Sequence, residues 1–184
     1  MKTSKRPREL AKNASGLHKH VGTLLTEIEA FKGFEIRQEY PVKKVNPKFK
    51  SGREKFDWVI LGARIIIECH GKQHYDPIRF GGVDADQAKR NLIATQGRDE
   101  KKREAAYQAG WTYVVVKYDE ASITAEKLAD RIREELACTV VQKSLESYTD
   151  IVRTNIAKTK TQKQKVKTKW PSRKIPSRPF PKKR

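Results

Sequence analysis

Two acidic residues interrupt stretches of this chain that are otherwise apolar and rich in β-branched residues. Asp57 and Glu68 are separated by ten residues, and His70 follows Glu68 at a spacing of two. In an extended strand alternate side chains share a face, so Glu68 and His70 project side by side. Because an unpaired buried carboxylate is costly and two neighbouring carboxylates repel each other, a divalent cation would relieve both problems. The pattern predicts Asp57 and Glu68 as ligands of Mg²⁺ or Mn²⁺, hard ions that prefer carboxylate oxygens.

A metal ion held in this way polarises a phosphate and lowers the pKa of a bound water molecule. His70 could then act as the general base or orient the attacking water. Gln73 and His74 follow at the mouth of such a site, where they could contact a phosphate or the leaving oxygen. The alternative is structural: each acid could be a strand-edge residue that faces water or pairs with Lys55 or Arg64. The proximity of two acids, two histidines and a glutamine favours the catalytic interpretation.

The acids lie in two predicted strands, Lys55–Leu61 and Arg64–His70, which only Gly62 and Ala63 separate. A two-residue connection containing glycine predicts an antiparallel hairpin. Alternation then places the even-numbered residues of the first strand on one face and the odd-numbered residues, Asp57 among them, on the other.

The hairpin lies within a predicted α/β (α+β) fold with a mixed sheet and flanking helices. A helix begins near Ser15 and ends at Gly33, and Asp84 to Gly110 is helical with an interruption near Gly97. The remaining predicted elements are strands at Phe34–Val42 and Trp111–Tyr118, a helix at 123–136 and further helix at 138–152.

The net charge of +19 is concentrated at the two ends of the chain. Residues 1–20 carry +5 and residues 151–184 carry +13 with no acid, so residues 21–150 account for the remaining +1. We therefore expect a flexible basic N-terminus (1–14), a folded domain (15–152) and an extended basic C-terminal tail (153–184). Basic arms on a nearly neutral domain are typical of polyanion binding, although a purely solubilising tail is the alternative.

Several classes of protein do not fit the composition. No stretch approaches the roughly 20 apolar residues of a membrane span, and the N-terminus lacks the apolar run of a signal peptide. The tail also lacks the apolar stripe of a membrane-surface helix. Cys69 and Cys138 form neither a metal-type pair nor a disulfide framework, and Cys69 is expected to be a buried, inert thiol. We expect a soluble protein of a reducing compartment, the cytoplasm of a bacterium or of a phage-infected host cell.

The segment from Asp57 through Glu68-Cys69-His70 resembles the PD-(D/E)XK nuclease superfamily. In that superfamily a strand Asp and a following Glu-X-Lys hold the metal ion and the attacking water. This chain has His70 at the Lys position. The His70-Gly71 pair is similar to the branch that contains the very-short-patch repair endonucleases and related homing endonucleases, in which a strand Asp is followed by His-Gly. The resemblance implies a restriction-endonuclease-like core and leaves the identity of the base open.

A second resemblance extends downstream of the hairpin. The pattern from Glu68 to His74 is similar to a family of small bacterial proteins that have Asp at the position of His70. Those proteins continue with a helix that carries an Arg-Asp pair and with a Gly before the next strand, and Arg98-Asp99 and Gly110 fit that arrangement. Together the two resemblances cover residues 15–118.

These observations predict a metal-dependent endonuclease that hydrolyses phosphodiester bonds in DNA, with RNA as a further candidate substrate and a homodimer as a compatible assembly. Such an enzyme could act in repair, in recombination or in a phage or mobile element. Two alternatives stay open: a non-catalytic nucleic-acid-binding protein with a nuclease-like fold, and a zinc protein that uses Glu68, His70 and His74. Lys72 and Arg79 are candidate phosphate contacts beside the site. In the tail, the candidate contacts are Lys165, Lys167, Lys169, Arg173 and Lys174. Weaker candidates for the site itself are Glu39, Glu27 and His20.

Overall fold

A four-stranded mixed sheet forms the centre of the fold in a computed structural model that describes residues 14–169, with only some of the side chains beyond Val141. The strands lie in the order β1-β2-β3-β4, with β1–β2 and β2–β3 antiparallel and β3–β4 parallel. Their bounds are Ile36–Pro41 for β1, Lys55–Ile60 for β2, Ile65–His70 for β3 and Thr112–Lys117 for β4. The mixed α/β fold class predicted from the sequence is confirmed.

Helices flank the sheet and bury its two faces in separate apolar cores. Their bounds are Gly16–Glu27 for α1, Val42–Val45 for α2, Ala85–Gln108 for α3 and Ala125–Lys169 for α4. The first core joins α1 and the beginning of α4 to the sheet through residues such as Leu25, Ile67 and Leu128. The second joins α2 and α3 through residues such as Ile66 and Ala106. The helix α3 is the crossover that a parallel β3–β4 pair requires.

Polar side chains fix where the two helices nearest the site begin. The Ser15 hydroxyl accepts a hydrogen bond from the backbone N–H of His18, so α1 begins where the sequence predicts. The Asp84 carboxylate accepts from the N–H of Gln87 at 2.6 Å and caps α3 in the same way. Gly97 was predicted to interrupt α3, but the helix continues through it. Because a single glycine in a long helix is tolerated at a cost of about 1 kcal/mol, one glycine does not break this one.

The hairpin β2–β3 is antiparallel as predicted, but its connection is longer than two residues. Ile60 pairs with Ile65, so the four residues Leu61–Arg64 form the turn, and Arg64 adopts a positive φ of 53°. The face alternation predicted for β3 is confirmed, since Ile67 lies in the first core and Ile66 in the second.

In β2 the side chains stop alternating between the two faces of the sheet at Asp57. Trp58 lies in the first core, whereas Phe56, which strict alternation places on the same face, packs in the second core with Val59. The Oδ2 atom of Asp57 accepts a hydrogen bond of 2.7 Å from the backbone N–H of Cys69. A side chain therefore satisfies a donor that a regular ladder would pair with backbone, and the prediction for Phe56 is wrong for this reason.

The last helix is longer than the sequence predicts. An extended chain was expected from residue 153, whereas α4 continues to Lys169. Lysine and glutamine are good helix formers, and no proline follows Pro77 until Pro171. The chain divides into two compact units, Met1–Thr139 and Val140–Arg184. Although α4 has 45 residues, neither it nor any other helix in the described part of the chain is apolar enough to cross a membrane.

Candidate functional site

Asp57 lies at the break in β2, half-buried between the sheet and α1. Its Oδ2 is held by the Cys69 N–H, and its Oδ1 lies 3.7 Å from Nδ1 of His18, which is beyond hydrogen-bond distance. The other ring nitrogen of His18, Nε2, lies 2.9 Å from the side-chain nitrogen of Gln38. Because an amide nitrogen donates, Nε2 of His18 accepts, and the proton of a neutral His18 is then on Nδ1, facing Asp57. Burial raises the pKa of Asp57, an effect that the Cys69 hydrogen bond opposes.

Glu68 is almost completely buried in β3, on the face that α3 covers. It is 3% exposed, and its Oε2 accepts a hydrogen bond of 2.7 Å from Nζ of Lys102, which is itself buried. Its other oxygen, Oε1, is buried without a hydrogen-bond partner. Burial raises the pKa of Glu68 to about 8; the charge of Lys102 lowers this pKa and the charge of Asp57 raises it further. One ammonium group does not compensate the buried negative charge.

Both carboxylates offer oxygen atoms of the kind that would bind a hard divalent cation. Each has one oxygen committed to a hydrogen bond, Oδ2 of Asp57 and Oε2 of Glu68, and one oxygen without such a bond. Oxygen atoms of this kind are the ligands that Mg²⁺ and Mn²⁺ prefer. A bound cation would also reverse the unfavourable electrostatics, since it stabilises the ionised form of both groups.

A cluster of His70, His74 and Asp99 lies beside the carboxylates. Gly71 ends the strand, and a short 3-10 turn at Lys72–His74 follows, so that the rings of His70 and His74 stack with centroids 4.3 Å apart. Nδ1 of His74 is 2.6 Å from Oδ2 of Asp99 on α3. Burial lowers the pKa of His70 to about 4, and the adjacent His74 contributes to this shift. His70 is therefore neutral at neutral pH.

The structure changes the set of residues that the sequence predicted as zinc ligands. One ring nitrogen of His70, one of His74 and one oxygen of Asp99 lie within 4.8 Å of one another, and Glu68 is not part of that group. The turn after Gly71 brings the histidines together, and α3 supplies the acid. Asp99, rather than Glu68, is the third potential ligand.

Two adjoining cavities lie beside α3. A cavity of about 240 Å³ has Gln73, His74, Asp99 and Lys102 in its wall. It shares Glu54 and Arg98 with a larger cavity of about 500 Å³. The larger cavity has four basic side chains in its wall: Lys48, Lys50, Arg98 and Lys101.

The other candidates from the sequence lie in varied surroundings. Glu39 is exposed, adopts a φ of 51° and pairs with Lys55 at 3.4 Å, while its charge contributes to raising the pKa of Asp57. Glu27 is the exposed last residue of α1. Nε2 of His20 lies 2.9 Å from the carbonyl oxygen of Ile123. His18 is therefore the α1 histidine that lies beside Asp57.

The candidate phosphate contacts are exposed or outside the described side chains. Lys72 and Arg79 are exposed in the loop that follows β3. The side chains of Lys165, Lys167 and Lys169 in α4 are not described, and Arg173 and Lys174 lie outside the described residues. Cys69 is half-buried, and burial raises the pKa of its thiol, as expected for an inert cysteine.

Sequence reasoning missed His18 and Lys102, and it named Asp99 within the Arg98-Asp99 pair without assigning it to the site. The signal for Lys102 was its position on the apolar face of α3, three and four residues before the buried Ala105 and Ala106. A lysine within such a stripe needs a partner, and Glu68 is that partner.

Comparison with known proteins supplies no relative from which an activity could be transferred. No family model matches the chain, and no curated protein matches it. The basis for a functional conclusion is therefore the site itself, a pair of strand carboxylates, one of which is buried with an unsatisfied oxygen.

Proposed function

We propose that this protein is a Mg²⁺- or Mn²⁺-dependent endonuclease that hydrolyses phosphodiester bonds in DNA. The observation that carries the proposal is the state of Glu68: it is 3% exposed, Oε1 has no hydrogen-bond partner, and Lys102 is the one cation that bonds to it among the described residues. Buried charge of this kind is disfavoured in folding and concentrates at functional sites. The Asp57–Glu68 pair is also the part of the sequence that resembles the PD-(D/E)XK nucleases.

Asp57 and Glu68 hold the cation in this proposal. When bound, the cation supplies charge neutralisation at the phosphate and a more acidic water molecule. The Cys69 N–H holds one oxygen of Asp57 and Lys102 holds one oxygen of Glu68, and the other oxygen of each carboxylate makes no hydrogen bond. Fixed ligands favour the reaction because they do not have to reorganise as charge develops.

The neighbouring polar groups orient the water and the phosphate. His70 and Lys102 are the two groups next to Glu68 that can transfer a proton, and the lowered pKa of His70 keeps its imidazole neutral and able to accept one. His74 and Gln73 lie at the cavity wall, where they can donate hydrogen bonds to a phosphate oxygen.

DNA is the proposed substrate because basic side chains lie in the cavity walls near Lys102, the residue that bonds to Glu68. The four basic side chains of the larger cavity adjoin the smaller cavity that contains Lys102. Lys72 and Arg79 add charge beside the site, and the basic termini add non-specific affinity. A homodimer would permit cleavage of both strands, and the cytoplasm of a bacterial or phage-infected cell is the proposed location.

Cleavage of a labelled plasmid and of short duplexes, with Mg²⁺, with Mn²⁺ and with EDTA, tests the proposal. Asp57→Asn and Glu68→Gln should each lower the rate at least about a hundredfold, because each removes a charged ligand. Asp86→Asn and Glu29→Gln are the matched controls, since both acids are exposed and remote in sequence from the site. Equal rates for wild type and both site variants would refute the assignment.

The second candidate is a non-catalytic nucleic-acid-binding protein that has a nuclease-like fold. The charge distribution favours it as much as it favours an enzyme, since +18 of the net charge lies in residues 1–20 and 151–184. It predicts salt-sensitive binding to DNA or RNA and no cleavage with either cation. The buried carboxylates favour the enzyme, because binding a polyanion does not require acids in the site.

A further inference from the structure

We propose that His70, His74 and Asp99 form a binding site for one divalent transition-metal ion of the zinc class, separate from the carboxylate pair. The three potential ligand atoms, one from each residue, already lie within 4.8 Å of one another. The site contains neither Asp57 nor Glu68, so it can form whether or not the protein cleaves DNA; when it holds an ion, His70 and His74 act as ligands and not as the proton acceptor and the hydrogen-bond donor to phosphate. It uses two nitrogen ligands and one oxygen ligand, whereas the proposed Mg²⁺ site uses oxygen ligands alone.

The ligand atoms are spaced close to the distances that a bound ion requires. Zinc bonds to nitrogen and oxygen of about 2.0–2.2 Å in a tetrahedron separate neighbouring ligand atoms by roughly 3.4 Å. Nδ1 of His74 and Oδ2 of Asp99 are now 2.6 Å apart. To reach that spacing they would have to move apart by less than about 1 Å. The imidazole rings of His70 and His74 are stacked with an interplanar angle of 10°, and they must tilt relative to each other to share an ion, because an imidazole nitrogen binds a metal in the plane of its ring.

His70 also has an unsatisfied nitrogen. The residue is 8% exposed, Nδ1 lies 3.3 Å from the hydroxyl of Tyr75, and Nε2 is buried without a hydrogen-bond partner. A buried imidazole nitrogen that makes no hydrogen bond is unusual in folded proteins and calls for a partner. A metal ion is one partner that an imidazole nitrogen accepts readily.

The donor set determines the class of ion. Imidazole nitrogen suits Zn²⁺, Co²⁺, Ni²⁺ and Cu²⁺, while Mg²⁺ prefers oxygen ligands and near-octahedral geometry. Three protein ligands leave a coordination position open, as in catalytic rather than structural zinc sites. His74 and Asp99 lie in the walls of two cavities, of about 240 Å³ and about 400 Å³, so that position can receive water or a phosphate oxygen.

A second group, His18, Asp57 and Cys69, has ligand atoms equally close and must be distinguished from the first. Its thiol would give a different optical signature, because a cobalt–thiolate bond produces a charge-transfer band in the near ultraviolet. Burial also raises the pKa of the Cys69 thiol, which disfavours the thiolate that a metal requires.

The test is titration of the full-length, metal-free protein with Co²⁺, followed by visible absorption, and with Zn²⁺, followed by calorimetry. We expect one equivalent of Co²⁺ to give ligand-field bands without a thiolate band, and one equivalent of Zn²⁺ to remove them in the presence of excess Mg²⁺. Asp99→Asn and His74→Gln should weaken binding roughly tenfold or more. Glu100→Gln and His20→Gln are the matched controls and should bind as wild type does.

The outcomes separate this site from the nuclease proposal. Glu68→Gln should retain Co²⁺ binding although it is expected to abolish cleavage, so either proposal can fail alone. Absence of binding, binding unchanged in both ligand variants, or a thiolate band that Asp57→Asn abolishes would each overturn the site. Circular dichroism of Asp99→Asn and His74→Gln confirms that lost binding reflects lost ligands rather than unfolding.

Discussion

Burial of Glu68 should make the free energy of unfolding depend on pH in a direction opposite to that of most carboxylates. The pKa of Glu68 rises from its ordinary value of 4.5 to about 8 in the folded protein. Between these values the folded state keeps a proton that the unfolded chain has released, so the free energy of unfolding falls as pH rises. At about 1.4 kcal/mol per pKa unit, the loss across the window is about 5 kcal/mol as an upper limit.

Glu68→Gln removes this dependence. Glutamine has nearly the same shape and no charge at any pH, and its carbonyl oxygen can accept the hydrogen bond from Lys102. We expect the metal-free variant to match the wild type in stability near about pH 5 and to exceed it by several kcal/mol near about pH 8. Higher stability of Glu68→Gln, together with the loss of cleavage that the proposed function predicts for it, would be typical of a residue retained for function.

Urea denaturation of both proteins in EDTA, at intervals across that pH range, measures the difference. Comparison with Glu29→Gln, which alters an exposed acid, corrects for general charge effects. Addition of Mg²⁺ should stabilise the wild type and not the Gln variant, because in the proposed site the cation binds the carboxylate pair of the folded state alone. A difference between Glu68→Gln and wild type that stays constant with pH, or that decreases as pH rises, would refute the description of Glu68 as a desolvated carboxylate.

Three further predictions concern other parts of the molecule. Lys102→Met removes the cation bonded to Glu68 and should destabilise the metal-free protein at alkaline pH by about 3 kcal/mol. Urea denaturation at alkaline pH measures this loss of stability, and the double variant with Glu68→Gln should recover most of it. Gly22→Ala should destabilise the fold by roughly 1–3 kcal/mol, because a Cβ at Gly22 would lie 2.3 Å from a ring carbon of Trp58. Gly16→Ala is the control, since a Cβ there meets nothing within 4 Å, and equal melting temperatures of the two variants would contradict the prediction. Removal of residues 153–184 should reduce the salt dependence of DNA binding, since each lost phosphate contact lowers the slope of log K against log salt by about 0.9; an unchanged slope in a salt titration would exclude the tail from binding.

The β3 strand shows how far pattern reasoning extends at this site. Alternation placed Glu68 and His70 on one face because the side-chain repeat of a strand is fixed by backbone geometry. The same reasoning failed one strand away at Phe56, because the Asp57 side chain bonds to the Cys69 N–H across the hairpin. A contact between two strands belongs to the tertiary structure, so the periodicity of the local sequence does not reveal it.

The residues that complete the site illustrate the same limit over longer distances. Lys102 is 34 positions from Glu68, and Asp99 is 25 positions from His74. Which residues of α3 reach the sheet depends on how the helix packs over β3, and the helix alone has several candidate acids and lysines. Only Ala105 and Ala106, which are buried, indicate that Lys102 lies on the face of α3 that packs against the sheet.

The sequence by itself determined the mixed α/β class, the hairpin and the position of the two carboxylates in adjacent strands. Those features follow from local periodicity, turn residues and chain connectivity, which neighbouring residues encode. Tertiary structure decided which cation bonds to Glu68, that His18 rather than His20 lies beside Asp57, and that Asp99 joins the two histidines. These depend on helix packing across the two faces of the sheet, where partners distant in sequence meet because apolar surfaces must be buried together.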